Sequence, residues 1–432
     1  MQPSLLLDHE LAVSQSGYVV RALLKLEGKA PDAGGRVPLN LSLVLDRSGS
    51  MAGEKLAAAR EAAALAVRRL RPEDVVSVVA YDDEVTTVAP PATGAEQGTL
   101  PAQLLAIPAG GMTNLSGGWL RGHELVAEAR RAAAADGAAE GGMHRILLLT
   151  DGCANVGITD PALLVGLCQK ARLAGITTTT IGFGADYDEH LLRAMADAGG
   201  GGAYYIERPD QAPGVFEEEL AGLLSLAAQN VTVEVRPSAA VQLVAVHHRY
   251  PETALPAGVR LDVGDVYARE PKSLLVEFFV PGLDGGAAVA IADVVVQAYV
   301  LTAGGGLERQ EVRFPIAAPL DRAGRREPEV RREMLLLEAA RAREAALAAR
   351  ERGDFDAGRA SLASVAPMLL EEADGDAMLL AEAEDLQAMA RQFERGSVSA
   401  ADAKYLGQAV YNAHRKKEAY AARLRRRPGG EG

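Results

Sequence analysis

Asp46, Ser48 and Ser50 set one carboxylate and two hydroxyls within five consecutive positions, Asp46-Arg47-Ser48-Gly49-Ser50, directly after the apolar run 39–45. Hard oxygen donors of this kind suit Mg²⁺, which takes six oxygens in an octahedron and commonly keeps several waters. One loop cannot surround such an ion, so other loops must contribute. Two stretches supply donors: Thr113 in the Gly-rich segment 110–114, and Asp151 after the apolar run 145–150. Alone, the Asp-x-Ser-x-Ser pattern also reads as a strand running into a helix cap, since Asp and Ser are favoured N-caps. Three donor-bearing loops together point to a metal site. Gly53, Glu54 and Lys55 look like the start of a phosphate loop, but Leu56 stands where Ser or Thr is required. No GxGxxG follows the first apolar strand either, which argues against a nucleotide site.

The elements that must hold these donors are legible in the periodicity. Leu41, Leu43 and Leu45 share one face of a buried strand, and Asp46 begins the loop at its C-terminal end. From 36 to 228 strands and helices alternate, the pattern of a mostly parallel sheet covered on both faces. Helices are expected over 54–70, 116–135, 161–174 (with Gly175 just past its end), 188–198 and 211–228. Strands are expected over 75–81, 145–150, 176–181 and 203–206. In open α/β sheets ligands bind beyond the carboxyl ends of the strands, where Asp46 and Asp151 fall.

In type, order and loop placement, Asp46, Ser48 and Ser50, the lone Thr113, and Thr150-Asp151-Gly152 resemble the metal-ion-dependent adhesion site (MIDAS) of von Willebrand factor type A domains, in a bacterial cytoplasmic form. The resemblance implies a doubly wound, Rossmann-like α/β fold. It also implies Ser48, Ser50 and Thr113 as direct ligands of Mg²⁺, with Mn²⁺ or Ca²⁺ as alternatives, and Asp46 and Asp151 as carboxylates acting largely through water. A sixth position is then left for an Asp or Glu of a protein partner, such as an AAA+ ATPase or an assembly component. Movement at Thr113 would carry the helix that follows it. The site is expected on a surface loop, so that Asp46→Ala would disturb folding little.

The competing class is a Mg²⁺-dependent phosphoryl-transfer enzyme, with Asp46 as the attacked carboxylate. Such enzymes usually carry a second carboxylate two positions on, where Ser48 stands, and His123 and His144 fall on no loop at the required end of the sheet. No catalytic residue is assigned, and the expectation is a non-enzymatic binding module.

The remaining sequence sets the context. The chain has 432 residues, 48% of them hydrophobic, enough for two or three domains. A net charge of −13, from 45 basic and 58 acidic side chains, argues against a general nucleic-acid or anionic-membrane binder. Basic residues gather only at Arg415, Lys416, Lys417, Arg423, Arg425, Arg426 and Arg427, where they complement a helix C-terminus. Two cysteines, Cys153 and Cys168, fit a reducing compartment, and residues 1–10 carry no basic secretory start. No apolar run approaches the roughly 20 residues that cross a bilayer. The expected location is the cytoplasm, where the Asn-x-Ser/Thr triplets at Asn40, Asn114 and Asn230 carry no glycan.

Five segments are expected: N-terminal strands of a β-sandwich (1–35), the α/β domain (36–228) inserted into it, the rest of the sandwich (229–316), a linker (317–328) and a C-terminal helical bundle (329–432). The paired His247 and His248 read as ordinary strand residues pointing to opposite faces. Residues 346–362 resemble one tetratricopeptide-type hairpin, without a second unit at the required period.

Overall fold

The computed structural model describes residues 1–9, 17–29, 37–96, 98–135, 142–151, 154–184, 188–223, 225–268, 272–281, 289–302, 307–318 and 324–415. Gly152, Cys153, the basic tail from Lys416 onward and residues 319–323 of the expected linker lie outside these. The chain forms two compact units: Met1–Ala30, Leu226–Val300 and Glu308–Gly432 in one, Pro31–Ser225 with Leu301–Leu307 in the other.

The first unit opens with β1 (Gln2–His9) and β2 (Tyr18–Glu27), paired antiparallel. The α/β unit then runs β3 (Leu39–Asp46), α1 (Glu54–Arg68), β4 (Val75–Tyr81), β5 (Val85–Thr93), α2 (Leu100–Leu105), α3 (Leu115–Ala135), β6 (Met143–Thr150), α4 (Pro161–Leu173), β7 (Ile176–Phe183), α5 (Glu189–Gly199), β8 (Gly200–Ile206) and α6 (Ala212–Leu223). Its six strands lie in the order β5-β4-β3-β6-β7-β8, all parallel except the edge strand β5. β3 sits at the centre and every one of its residues is buried, which is why it reads as an unbroken apolar run. Gly175 follows α4 at φ +81, the left-handed turn that ends many helices.

Two features depart from the sequence reading. β5 carries Pro90 and Pro91, which cannot donate to a ladder; an edge position with a register break around them admits both. The last helix stops at Leu223 instead of reaching 228, because Leu226 and Ala228 pair with Tyr267 and Val266 in the next sheet. Ala-rich segments carry no period that separates helix from buried strand.

The first unit resumes with β9 (Leu226–Pro237), β10 (Gln242–Val246), β11 (Glu252–Leu255), β12 (Gly258–Tyr267), β13 (Lys272–Val280), β14 (Val289–Leu301) and β15 (Leu307–Ala318). Two sheets result, β1-β2-β13-β10 and β11-β12-β9-β14-β15. Val20, Leu24, Val276 and Phe278 from the first pack with Val231, Val233, Leu261 and Val294 from the second in one core, so the α/β unit is inserted between two parts of a β-sandwich. Alternation sends Leu23 and Leu275 to the opposite face, where they meet Val330 and Leu337 of α7 (Pro328–Glu351). α8 (Phe355–Glu372), α9 (Ala377–Glu394) and α10 (Ala400–Arg415) complete a bundle with α7 around Leu362, Leu386, Phe393 and Leu406.

His247 and His248 lie just past β10, and both face α7. The Leu275 N–H donates to His248 Nδ1 (3.1 Å), which leaves Nε2 as the protonated nitrogen facing Glu333 Oε1 at 3.0 Å. They pin helix to sheet and are not the oppositely directed strand residues that alternation suggests. Among the described residues no helix is long and apolar enough to cross a membrane.

Helix α3 approaches the α/β sheet through glycine. A Cβ on Gly122 would lie 2.5 Å from Val44 Cγ2, and one on Gly118 would lie 2.4 Å from the Tyr81 ring. Gly122→Ala should therefore destabilise the α/β unit by about 1–3 kcal/mol through overpacking, measured as a lowered urea midpoint. A second expectation concerns His144, near the start of β6, whose ring nitrogen accepts from Asn40 Nδ2 at 3.1 Å. Burial, with Arg130 nearby, holds its pKa down at about 4. Below pH 6.5 the unfolded chain takes up this proton while the folded chain does not until about 4, so stability falls across that window as pH drops. His144→Gln should flatten the pH dependence of unfolding between pH 6.5 and 4, by at most about 1.4 kcal/mol per pH unit.

Candidate functional site

Parallel register delivers the donors. β3 and β6 pair Leu45 with Leu149, so Asp46 at the end of β3 lies beside Thr150 at the end of β6, and Asp151 follows. Thr150 Oγ1 donates to Asp46 Oδ2 (2.5 Å), and the Ser48 backbone N–H donates to Asp46 Oδ1 (2.8 Å). Burial pushes the Asp46 carboxyl pKa up; the bonds from Ser48 and Thr150 pull the other way, and the Asp151 charge adds to the rise. Tyr81, fully buried beside them at the end of β4, is pushed up by burial and by Asp46.

Ser48 Oγ and Ser50 Oγ stand 3.2 Å apart, and Ser50 Oγ donates to Asp151 Oδ1 at 2.6 Å. The ammonium of Lys55, in the first turn of α1, bonds Asp151 Oδ2. Asp46, Ser48, Thr113 and Asp151 are each at most 4% exposed, and Ser50 is the exposed member of the set. This corrects the expectation of a site confined to a surface loop: Asp46 closes a central buried strand, and removing it leaves Thr150 and Ser48 donors behind.

The Thr113 segment is fastened to the Asp46 loop by backbone bonds, Gly49 N–H to Gly111 O (2.8 Å) and Gly110 N–H to Arg47 O (2.7 Å). Asp82, just past β4, accepts from the N–H groups of Glu84 and Gly111 and from Arg47. Burial raises the Asp82 pKa, but those donors outweigh it and hold the carboxyl below its ordinary range. A Cβ on Gly110 would lie 1.6 Å from Asp82 Oδ2, so the segment closes only with glycine there. Asn155 Oδ1 accepts from the Thr113 N–H (2.9 Å), and the Thr113 carbonyl accepts from Asn155 and Val156. Sequence reasoning missed Asp82, Asn155 and Lys55. Asp82 carried a signal, an acid at the carboxyl end of a central strand; Lys55 carried one too, a cation in the first turn of a helix, where the dipole disfavours it.

His123 stacks on Trp119 at 5.5 Å, and His144 lies at the opposite end of β6 from Asp151. Cys168 is buried in α4, its thiol pushed up to about 12 by burial.

A family model for the von Willebrand factor type A domain matches residues 40–218. Residues 40–218 are a von Willebrand factor type A (VWA) domain. The chain is 33% identical over 219 residues to the uncharacterized protein YfbK of Escherichia coli (strain K12), covering 50% of this chain and 37% of that protein. It is 33% identical over 190 residues to inter-alpha-trypsin inhibitor heavy chain H4 of Bos taurus, covering 43% of this chain and 20% of that one. The aligned stretches thus span well under half the length of these two relatives. Among solved structures, von Willebrand factor type A from Catenulispora acidiphila is similar over 90% of this chain and 89% of that one, with a TM-score of 0.69 and 20% identity. The ArnB paralog VWA2 from Sulfolobus acidocaldarius is similar over 92% and 99%, with a TM-score of 0.54 and 17% identity. These likenesses are of fold alone; in this chain the fold is the VWA sheet flanked by helices, with further sheets and C-terminal helices.

Asn114, immediately before α3, accepts the Gly117 N–H on Oδ1 (2.9 Å) and so caps the helix that starts beside Thr113. Asn114→Ala should cost about 1 kcal/mol of VWA-domain stability, with Asn114→Asp close to neutral, both read from denaturant unfolding.

Proposed function

We propose that the VWA domain is a divalent-cation-dependent protein-binding module in which Ser48, Ser50 and Thr113 contact Mg²⁺, with Mn²⁺ or Ca²⁺ as alternatives, and Asp46 and Asp151 support the ion through water or directly. One observation carries the reading: the hydroxyls of Ser48 and Ser50 lie 3.2 Å apart, with Asp151 Oδ1 2.6 Å from Ser50. Neighbouring ligands of an octahedral Mg²⁺ with bonds of about 2.1 Å stand about 3 Å apart, so the serine pair already has that spacing. Among the described residues no three His, Cys, Asp or Glu side chains gather as a metal cluster. An ion here would rest on neutral hydroxyls as well as carboxylates and keep much of its charge. When bound, it supplies a Lewis-acidic position for an anionic ligand.

The chain's own residues define the rest. Gly110, Gly111 and Asp82 hold the Thr113 segment down, and Asn114 and Asn155 tie that segment to the start of α3 and to the loop after β6. A partner presenting an Asp or Glu completes the site; an AAA+ ATPase or an assembly component is the class we favour, in the cytoplasm.

Ser50 is the informative position, since it is exposed and its loss leaves the buried Asp46 network intact. Mn²⁺ titration followed by electron paramagnetic resonance should show one bound ion in the wild type and at least tenfold weaker binding in Ser50→Ala. Partners retained from native extract in Mg²⁺ should be released by chelator while circular dichroism stays unchanged, and replacing the partner's acidic residue by its amide should abolish retention. Equal partner affinity for wild type and Ser50→Ala at a Mg²⁺ concentration that only half-fills the wild-type site, or partner binding by the wild type that persists in chelator, would sink the proposal.

A further inference from the structure

Lys55 is the second residue of α1, in the first turn, where the helix dipole disfavours a cation. Its position is explained by what it touches. The ammonium donates to Asp151 Oδ2 and lies 3.4 Å from the Ser50 carbonyl oxygen, while the Asp151 side chain is 0% exposed and that of Lys55 is 29% exposed. The other Asp151 oxygen takes the Ser50 hydroxyl, and both Asp46 oxygens are engaged by Ser48 and Thr150. The lysine end passes close to Gly184, just beyond β7, where a Cβ would lie 3.2 Å from its Cε; the backbone there has φ +72, which disfavours a side chain.

We infer that the Lys55 ammonium is the built-in counter-ion of the metal-free site, and that it sets the divalent-cation concentration at which the site fills. The inference rests on the metal-binding reading above. Two buried carboxylates side by side repel, and a charge left unpaired in such a place strongly destabilises the fold. Lys55 removes that penalty when no divalent ion is present. A divalent ion that takes the same Asp151 oxygens must first displace the ammonium, and the partial exposure of Lys55 gives it a path outward. The contact is thus both a stabiliser of the empty domain and a competitor of the ion.

The test compares full-length wild type, Lys55→Gln, Lys55→Met, Lys55→Arg and the double variant Ser48→Ala/Ser50→Ala, using Mn²⁺ alone as probe, with calorimetry for affinity and thermal melts in chelator for stability. Lys55→Gln keeps a hydrogen-bond donor and guards against loss of folding in Lys55→Met. Both neutral variants should bind Mn²⁺ at least tenfold more tightly than wild type, melt lower in chelator, and recover when Mn²⁺ is added. Lys55→Arg should stay close to wild type. Mn²⁺ bound by wild type but not by the double variant, with Lys55→Gln equal to or weaker than wild type, overturns the role of Lys55 and leaves the metal site standing. Identical Mn²⁺ behaviour of wild type and the double variant overturns the metal site, and the inference with it.

Discussion

The structure turns on a carboxylate buried at the end of the central strand. Asp46 is wholly inaccessible, and its charge is tolerable only because the Ser48 N–H and the Thr150 hydroxyl reach both of its oxygens. That demand fixes the register of β3 against β6: both strands are buried on both faces, so apolar pattern alone would allow a slip, but a one-residue slip would carry Thr150 away and leave the Asp46 carboxylate short of a donor. It also fixes the turn at Ser48, and with it the serine pair. The Thr113 segment, clasped to Arg47 and Gly49 through its backbone, is held by the same frame. Rigidity at the site thus starts from the cost of hiding one charge.

How much of this could be read from the chain depended on the range of each interaction. The central strands were legible because full burial makes them continuous apolar runs, and the strand-end aspartates because the fold rule for open sheets says where to look. β5 was hidden by Pro90 and Pro91, which argue against a strand until an edge position is known. β11 is four residues long and largely exposed, with no alternation to detect. Leu226 and Ala228 were misread because their strand partners in β12 lie far along the sequence. Asp82, Asn155 and Lys55 escaped for the same reason: each acts on a loop brought close only by the sheet.

The sandwich unit follows a different logic. Its four-stranded sheet is apolar on both faces, Leu24 and Val276 turned to the other sheet, Leu23 and Leu275 turned to α7. Helix α7 is therefore shared between sheet and bundle, and polar and charged pairs complete its seat: His248 with Glu333, Arg249 with Glu344, Lys25 with Glu329. Within the bundle, the buried Arg343 pairs with Glu382 and Asp385, and Asp385 also accepts from Tyr405. Burying such a network adds little to net stability against a well-packed apolar alternative, yet removing one partner is costly. It selects one seating of the helices.

The place where the sandwich chain breaks off and resumes has a thermodynamic meaning. A Cβ on Gly28 would touch Ala227 at 2.8 Å, so the strand leaving toward the inserted domain and the strand coming back from it are in contact. While the host sandwich stays folded, the guest's two ends cannot diffuse apart even when the guest itself is unfolded. The host thereby acts on the guest as a covalent cross-link would, reducing the entropy of its denatured chain by an amount worth on the order of 5 kcal/mol for a loop of this size. Loss of the sandwich would release that restraint at once, so a lesson in tethering is written into the chain path: the guest's resistance to unfolding is partly a property of its host.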